Sequence, residues 1–305
     1  MKVRFFNYYR HLDKMTPQIG DTLYGNYLAY PGMMLAKRME DEGFYKTFDD
    51  DFDIAIFTDL DEELMRFALS LPPHIKKILH LCESPIYTPY GHHPHILFSN
   101  IWSSVVTYNR EFDSSRLQHY DIPVTGIQCP LPSIPSVKDT LPRGVFIGSF
   151  KNDNRGFWLH RDNLMLQLAE AGIIDIYGHG WPNSSHYCGK TDDKIKTLTQ
   201  YRYVICSENA KYSGYVTEKI GDSILAERPC LYFGDALHAH KRFGETFIEL
   251  PALSLEAFHT AFERLNSQYG TLYTAVLKEK SRSEHWVDSF IENMLQALRK
   301  CKLAN

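Results

Sequence analysis

Two groups of charged residues stand where a protein could carry out chemistry. Glu83 follows the apolar run Lys77–Cys82 and precedes Pro85, so its carboxylate is predicted to lie at a strand end on a stiff loop. A partly desolvated carboxylate in such a place is a candidate general base that takes a proton from a hydroxyl group. The second group follows the predicted strand Tyr203–Ser207 and consists of Asn209, Tyr215, Glu218 and Lys219.

The second group suits a nucleotide diphosphate. Thr217 is a predicted N-cap, which puts Glu218 and Lys219 in the first turn of a helix. A lysine at this end of a helix is unfavourable by a few tenths to about 1 kcal/mol unless an anion lies nearby. A diphosphate would remove this penalty, because free backbone N–H groups and the lysine would both contact it. The two carboxylate oxygens of Glu218 would suit a pair of ribose hydroxyls.

These segments resemble the signatures of the α1,3/4-fucosyltransferases of glycosyltransferase family 10. The stretch SENAKYSGYVTEKI, residues 207–220, is similar to the family motif that holds the GDP moiety of GDP-fucose. Glu83-Ser84-Pro85 is similar to the motif of the family's catalytic base, and residues 100–113 and 174–180 add further similarity. The resemblance spans about residues 77–235. Asn109 and Phe112 depart from the family pattern, and residues 1–80 show no match, so the acceptor and the linkage stay open.

The resemblance implies where the parts of the donor bind. Tyr215 would lie near the base, Glu218 at the ribose and Lys219 at the phosphates, and Asn209 would be a further donor contact. Preferential binding of GDP would follow.

The resemblance also implies an inverting mechanism. Glu83 would activate the acceptor hydroxyl, and the nucleotide diphosphate leaves as a stable anion that needs no second carboxylic acid. Arg161 would be the second cation at the leaving pyrophosphate, and Arg155 is its competitor. No metal and no cofactor would be required.

Apolar strand-like runs alternate with amphipathic stretches, which predicts an α/β protein with parallel sheets. The resemblance implies the GT-B architecture, in which two Rossmann-like domains face a central cleft. The predicted strands are Val3–Tyr8, Asp53–Thr58, Lys77–Cys82, Ser104–Tyr108, Gly144–Phe150, Ile174–Gly178, Tyr203–Ser207 and Cys230–Gly234. The predicted helices are Tyr27–Asp41, Glu62–Leu71, Leu159–Ala171, Asp193–Gln200, one that follows Thr217 and one over Glu284–Lys300.

Four prolines between Cys129 and Arg143 predict an interdomain linker. The predicted domains are therefore an N-terminal Rossmann-like acceptor-side domain over residues 1–133 and a nucleotide-sugar domain over residues 134–283. Residues 284–305 are predicted to form a helix that packs back on the first domain.

Composition limits the partners. With 33 basic and 37 acidic residues the net charge is −4, which disfavours nucleic acid as a partner.

The N-terminus has neither a signal-peptide core nor a membrane-spanning stretch, so a cytoplasmic location is expected. Arg299, Lys300 and Lys302 follow an amphipathic helix and leave open a peripheral contact at the inner membrane. The six scattered cysteines are predicted to be free thiols.

These observations predict a glycosyltransferase that moves L-fucose from GDP-fucose to a hydroxyl of an acceptor oligosaccharide or glycolipid, such as a bacterial surface polysaccharide or lipopolysaccharide. Two alternatives are the same fold and mechanism with another nucleotide sugar, and a non-catalytic nucleotide- or glycan-binding protein. A third is a metal-dependent site of the GT-A kind on the D-x-D spacings of residues 48–53 and 58–63. Two sets of histidines, His92, His93 and His95 and then His238 and His240, lack the usual spacing of metal ligands.

Overall fold

The structure, a computed structural model, describes residues 1–8, 29–124 and 132–303. The chain divides into two compact units, and in the described residues each has one parallel sheet. The first unit comprises Met1–Thr125, Tyr212–Gly214 and Trp286–Asn305, and the second comprises Gly126–Lys211 and Tyr215–His285. The predicted α/β class is confirmed.

The first unit has a six-stranded sheet flanked by helices. Its strands are β1 (Lys2–Asn7), β2 (Tyr45–Lys46), β3 (Ile54–Thr58), β4 (Lys76–Leu81), β5 (Ser104–Thr107) and β6 (Leu117–His119). Its first three helices are α1 (Ala29–Asp41), α2 (Glu62–Ser70) and α3 (Pro94–Leu97). The strand order is β2-β1-β3-β4-β5-β6. The central strands β3 and β4 are buried except for Thr58 and Lys76, as expected inside a parallel sheet, although β4 also buries the polar residues Lys77 and His80.

The second unit has a five-stranded sheet. Its strands are β7 (Leu141–Ile147), β8 (Ile174–Tyr177), β9 (Tyr201–Ser207), β10 (Cys230–Phe233) and β11 (Phe247–Glu249), in the order β11-β10-β9-β7-β8. Its helices are α4 (Trp158–Glu170), α5 (Lys194–Thr199), α6 (Glu218–Leu225), α7 (Ala236–Phe243), α8 (Leu255–Ser267) and α9 (Tyr269–Lys280). Strand residues such as Phe146, Ile205 and Leu231 pack with Leu168 and Phe258 of the helices in one apolar core.

The last helix, α10 (Asp288–Leu303), belongs to the first unit. The ring of Phe290 lies 5.6 Å from the rings of His80 and Tyr120, and Arg299 forms a 2.6 Å ion pair with Glu42 after α1.

In the part of the chain that the structure describes, no helix combines the length and the hydropathy needed to cross a bilayer. The five cysteines of the described ranges are free thiols.

The predicted linker Cys129–Arg143 overlaps the first strand of the second unit. Part of it lies outside the described residues, and its end is already strand, because β7 begins at Leu141. The N–H of Leu141 donates to the carbonyl of Gln200 at 2.9 Å, and the pairing of β7 with β9 is irregular between Leu141 and Gly144. Pro142 is tolerated at this irregularity because a bulge does not require its missing N–H. The first unit ends at Thr125 and the second begins at Gly126, whereas the predicted boundary is at residue 133.

Candidate active site

The predicted nucleotide-binding segment begins where β9 ends. β9 lies between β10 and β7 inside the second sheet, and ligands of such sheets bind beyond the carboxyl ends of the strands. Ser207 ends the strand, and α6 begins at Glu218. The polar loop between them carries Asn209 and Tyr215, and the first turn of α6 carries Glu218 and Lys219. The segment therefore has the strand, loop and helix order that the sequence predicts.

Glu208, which the sequence analysis did not select as a site residue, holds Lys219. Its side chain is fully buried, and its Oε2 accepts from the Lys219 ammonium at 2.9 Å. The same ammonium donates to Thr217 Oγ1 at 2.8 Å. Burial by itself would lower the pKa of Lys219, but the Glu208 and Glu218 carboxylates outweigh it and raise that pKa above its ordinary value. Lys219 is therefore a fixed cation at the positive end of α6.

Thr217 is the N-cap of α6, as the sequence predicts, but its side chain does not cap the helix. Instead its hydroxyl donates to Glu208 Oε2 at 2.7 Å, and its N–H donates to Glu208 Oε1 at 2.8 Å. The physical reason is that a buried carboxylate needs donors more strongly than a helix start needs one more acceptor. Glu208, which follows β9, thus holds the N-cap residue of α6 through its backbone N–H and its hydroxyl.

Gly234 leaves the space that Glu208 occupies. A Cβ at this position would lie 2.8 Å from Cγ of Glu208 and 2.2 Å from the hydroxyl oxygen of Tyr232. Both are closer than real contacts, so a larger residue would displace the carboxylate from Lys219.

Lys194 completes a cluster of charges at the start of α6. Its ammonium contacts Asp222 Oδ2 at 2.5 Å and Glu218 Oε1 at 3.3 Å. Burial alone would raise the pKa of Glu218, but the charges of Lys219 and Lys194 outweigh it and hold that pKa well below its usual range. Lys194 and Lys219 also line one small cavity with Phe146, Ile147, Leu198, Val204, Ile205, Cys206 and Ser207. This cavity lies at the carboxyl ends of β7 and β9.

Arg161 and Asn209, two predicted donor contacts, lie together. Asn209 Oδ1 is 3.5 Å from Arg161 Nη1 and accepts from the indole N–H of Trp158 at 3.3 Å. Arg161 is buried, and it pairs with Asp162 at 2.6 Å and donates to the carbonyl of Ser149 at 2.8 Å. The structure thus places Arg161 among protein partners, not on a solvated helix start.

Two further predicted residues differ in exposure. The competitor Arg155 is exposed and pairs with Asp153 at 2.7 Å. Tyr215, predicted to contact the base, is 2% exposed in this structure. The roles of both stay predictions.

The predicted base Glu83 lies in the first unit, just after β4, with a partly exposed side chain. Its backbone is held on both sides. Asp59, at the end of β3, accepts from the N–H of Glu83 at 3.1 Å and from the N–H of Cys82 at 3.0 Å. The carbonyl of Glu83 accepts from the Tyr108 hydroxyl at 3.0 Å and lies 2.9 Å from His92 Nε2.

Asp59 is another functional candidate, which the sequence suggested only as part of a metal-binding D-x-D spacing and not as a support for Glu83. It is 1% exposed, has a φ of +50° and carries a pKa raised by burial. An aspartate tolerates this left-handed backbone better than most residues. The signal that could have found it is topological, because β3 and β4 are neighbours and their carboxyl ends meet at one edge.

The acidic stretches of the metal hypothesis have other partners. Asp50 and Asp51 pair with Arg4 and Lys2, while Asp59 holds the Glu83 backbone. Asp61 caps α2 by accepting from the N–H of Leu64 at 2.8 Å.

The histidine sets also have protein contacts. The rings of His93 and His95 stack on each other at 5.2 Å, and His240 stacks on Phe247 at 4.3 Å. Within the described ranges, no three His, Cys, Asp or Glu side chains are grouped so as to hold a metal ion.

Comparisons with known proteins give a fold and no sequence family. No protein-family model and no curated protein matches the sequence. An α1,3-fucosyltransferase solved with GDP has a TM-score of 0.62 at 13% identity, covering 100% of this chain and 90% of that one. An alpha-glucosyltransferase solved with UDP and DNA has a TM-score of 0.59 at 9% identity, covering 98% and 100%. The chain has the GT-B fold.

A third similar structure is the sucrose-phosphate synthase of Thermosynechococcus elongatus. It has a TM-score of 0.55 at 11% identity and covers 91% of this chain and 79% of that one. The GT-B fold is thus common to proteins with different donors and acceptors, and the substrates of this chain must be argued from its own residues.

Proposed function

We propose that the chain is an inverting glycosyltransferase that transfers L-fucose from GDP-fucose to a hydroxyl of an acceptor glycan, such as a bacterial surface polysaccharide or lipopolysaccharide. The observation that carries the proposal is the Lys219 ammonium, which buried Glu208 fixes at the start of α6, in a cavity at the carboxyl ends of β7 and β9. A charge held in this place suits the phosphates of a nucleotide sugar.

The proposed reaction uses one base and fixed cations. The acceptor oxygen attacks the anomeric carbon of the sugar, and its proton passes to the Glu83 carboxylate. The bond between the anomeric carbon and the β-phosphate oxygen breaks, and the nucleotide diphosphate leaves with the bonding electrons. Lys219, Arg161 and the N–H groups at the start of α6 would stabilise the negative charge that grows on the leaving oxygen. No metal ion is needed in this scheme.

GDP as the nucleotide is supported by the resemblance of residues 207–220 to the fucosyltransferase signature and by the likeness in fold to an α1,3-fucosyltransferase that binds GDP. The main alternative keeps the fold and mechanism but uses another nucleotide sugar. The specific observation in its favour is the comparable likeness to an alpha-glucosyltransferase solved with UDP.

Calorimetric titration with GDP, UDP, ADP and CMP, first in EDTA and then with magnesium, tests the proposal. We expect the tightest binding for GDP, with the same affinity in both buffers. Lys219→Ala should weaken GDP binding, whereas Lys241→Ala, an exposed lysine of α7, should not. Binding of UDP alone, or binding only with magnesium, would reject the donor and the metal-independent mechanism.

Transfer activity separates the enzyme from a binding protein that shares the pocket. Purified protein is incubated with GDP-fucose and a panel of glycans, and released GDP and fucosylated product are measured. Tight GDP binding without any release of GDP in the presence of acceptors would favour the non-catalytic alternative.

A further inference from the structure

Lys194 is a charged residue beside the proposed donor site that the proposed mechanism does not use. It is the first residue of α5, and its ammonium lies between two carboxylates of α6, those of Asp222 and Glu218. The two helices bring the residues together across a sequence separation of 24 to Glu218. Because α6 also carries Lys219, Lys194 is part of the same charge cluster.

The exposed fractions divide the cluster into a buried and an open part. The side chain of Asp222 is 5% exposed, while those of Lys194 and Glu218 are 32% and 31% exposed. Asp222 therefore anchors the lysine from the buried side. Glu218 and Lys194 keep surface that a ligand can reach, and Lys194 lines the cavity that Lys219 also lines.

The contacts indicate what Lys194 does. Its ammonium lies 2.5 Å from Asp222 Oδ2 and 3.3 Å from Glu218 Oε1, so it bridges a buried and a partly exposed carboxylate of the same helix. The shortest ion pair of Lys219 is instead the one to Glu208, at 2.9 Å. The geometric effect of Lys194 is to fix the Glu218 carboxylate.

We propose that Lys194 is a positioning residue that orients the Glu218 carboxylate to accept hydrogen bonds from the ribose hydroxyls of the nucleotide donor. The inference rests on the proposed function, because it needs a nucleotide in this pocket. An ionised carboxylate only accepts hydrogen bonds, and a ribose diol offers two donors to it. The pKa of Glu218 agrees, since the charges of Lys219 and Lys194 overcome the effect of burial and keep the group ionised at neutral pH.

The test compares the affinities for GDP and 2′-deoxy-GDP by calorimetry. In the wild type a charge-assisted hydrogen bond to the ribose should make GDP about tenfold tighter than the deoxy form. In Lys194→Met the ratio should fall to about twofold or less, because the carboxylate is no longer held. Lys196→Met, an exposed lysine on the same helix, should keep the wild-type ratio.

A Lys194→Met protein that binds both nucleotides more weakly but keeps their ratio would overturn the inference, because that result is expected of a structural or phosphate-binding lysine. The double variant with Glu218→Gln should show no further change in the ratio beyond Glu218→Gln alone. Circular dichroism checks folding, and Lys194→Gln, which keeps hydrogen-bond donors but no charge, replaces Lys194→Met if that variant does not fold. Its ratio should also fall.

The result also separates the two proposals. A wild-type protein that binds none of the four nucleotides rejects the proposed function and this inference with it. A wild type that prefers GDP to 2′-deoxy-GDP, together with an unchanged ratio in Lys194→Met, rejects the inference alone.

Discussion

At the scale of single residues, Glu83 has a backbone fixed on both sides and a side chain that remains partly exposed. Such support is what a general base needs, because proton transfer requires a carboxylate held within hydrogen-bond reach of the hydroxyl. Asp59 supplies the support on the N–H side, and Tyr108 and His92 flank the carbonyl.

Glu83→Gln should lower the rate of transfer by about 10²- to 10⁴-fold, because the amide cannot take the acceptor proton. GDP affinity should change little, since the proposed donor contacts lie on other residues. Both are measured with the purified variant, by product formation and by calorimetry. Glu111→Gln, an exposed glutamate of the same unit, is the control and should keep full turnover. Normal turnover in Glu83→Gln would show that another group is the base.

Glu208→Gln should lower the pKa of Lys219, because it removes the buried charge that opposes the effect of burial. The remaining charged neighbours of this ammonium are Glu218 and Lys194. The rate at which acetic anhydride acylates Lys219, followed by mass spectrometry from pH 7 to 10, reports the fraction of neutral amine. Acylation should therefore begin at lower pH in the variant.

The same substitution should make GDP affinity fall more steeply with rising pH than it does in the wild type. Glu245→Gln, an exposed carboxylate beside His240 in the same unit, should behave like the wild type. Identical acylation profiles for Glu208→Gln and wild type would mean that Glu208 does not set the charge of Lys219.

The candidate site residues that belong to local motifs could be proposed from the sequence, whereas the residues that contact them across the fold could not. Glu208 is within the motif, but only the structure shows its carboxylate reaching Lys219. Asp59 and Lys194 contact Glu83 and Glu218 across 24 residues each, and no spacing rule links residues that far apart. Lys194 had no sequence signal, since a lysine that opens a helix is usually solvated.

At the scale of secondary structure, the long apolar runs were predicted well. The structure places the strands near Ile54, Ile78, Val105 and Ile205 within two residues of their predicted bounds, because buried parallel strands are rich in apolar residues. The short strands β2, β6 and β11 were missed, since two or three residues carry no periodicity. Helices α7, α8 and α9 were also not predicted, although their polar faces are typical of surface helices.

Gly214→Ala should lower the free energy of unfolding of the first unit by more than the backbone strain of a positive φ would by itself. Gly214 has a φ of +83°, and a Cβ there would lie 2.2 Å from the carbonyl oxygen of Tyr108 in the same unit. Gly43→Ala is the matched control, with a φ of +80° and its nearest atom at 4.0 Å. We expect a loss of about 1 kcal/mol for Gly43→Ala and at least about 2 kcal/mol for Gly214→Ala.

Urea unfolding followed by fluorescence measures both losses. Equal losses for the two variants would show that the loop moves away from Tyr108 at little cost.

At the scale of the whole molecule, the two units should respond differently to acid, because the first unit contains two buried histidines. Burial lowers the pKa of both His80 and His92 to about 4. In the unfolded chain each has an ordinary pKa near 6.5. Between these values the unfolded state binds more protons than the folded one, so the free energy of unfolding falls as the pH falls from about 6.5 to about 4.

From pH 7 to pH 5 each histidine should remove about 2 kcal/mol of stability. In His80→Gln the free energy of unfolding, measured with urea at the two pH values, should therefore fall by about 2 kcal/mol less than in the wild type. His74→Gln, an exposed histidine of the same unit, should decline like the wild type. A decline in His80→Gln as steep as that of the wild type would contradict burial of a neutral imidazole.

The chain order of the first unit affects how it is synthesised. The sheet of this unit forms early in the sequence, but the helix that covers His80 and Tyr120, α10, leaves the ribosome after every residue of the second unit. During translation the face of β4 and β5 that α10 will cover stays open while the middle of the chain folds. The nascent protein therefore exposes an apolar surface for the time needed to make about 160 residues, which is roughly 10 to 30 seconds at usual elongation rates. Chaperones that bind extended apolar segments have their opportunity in that interval, and ribosome pausing late in the message would lengthen it.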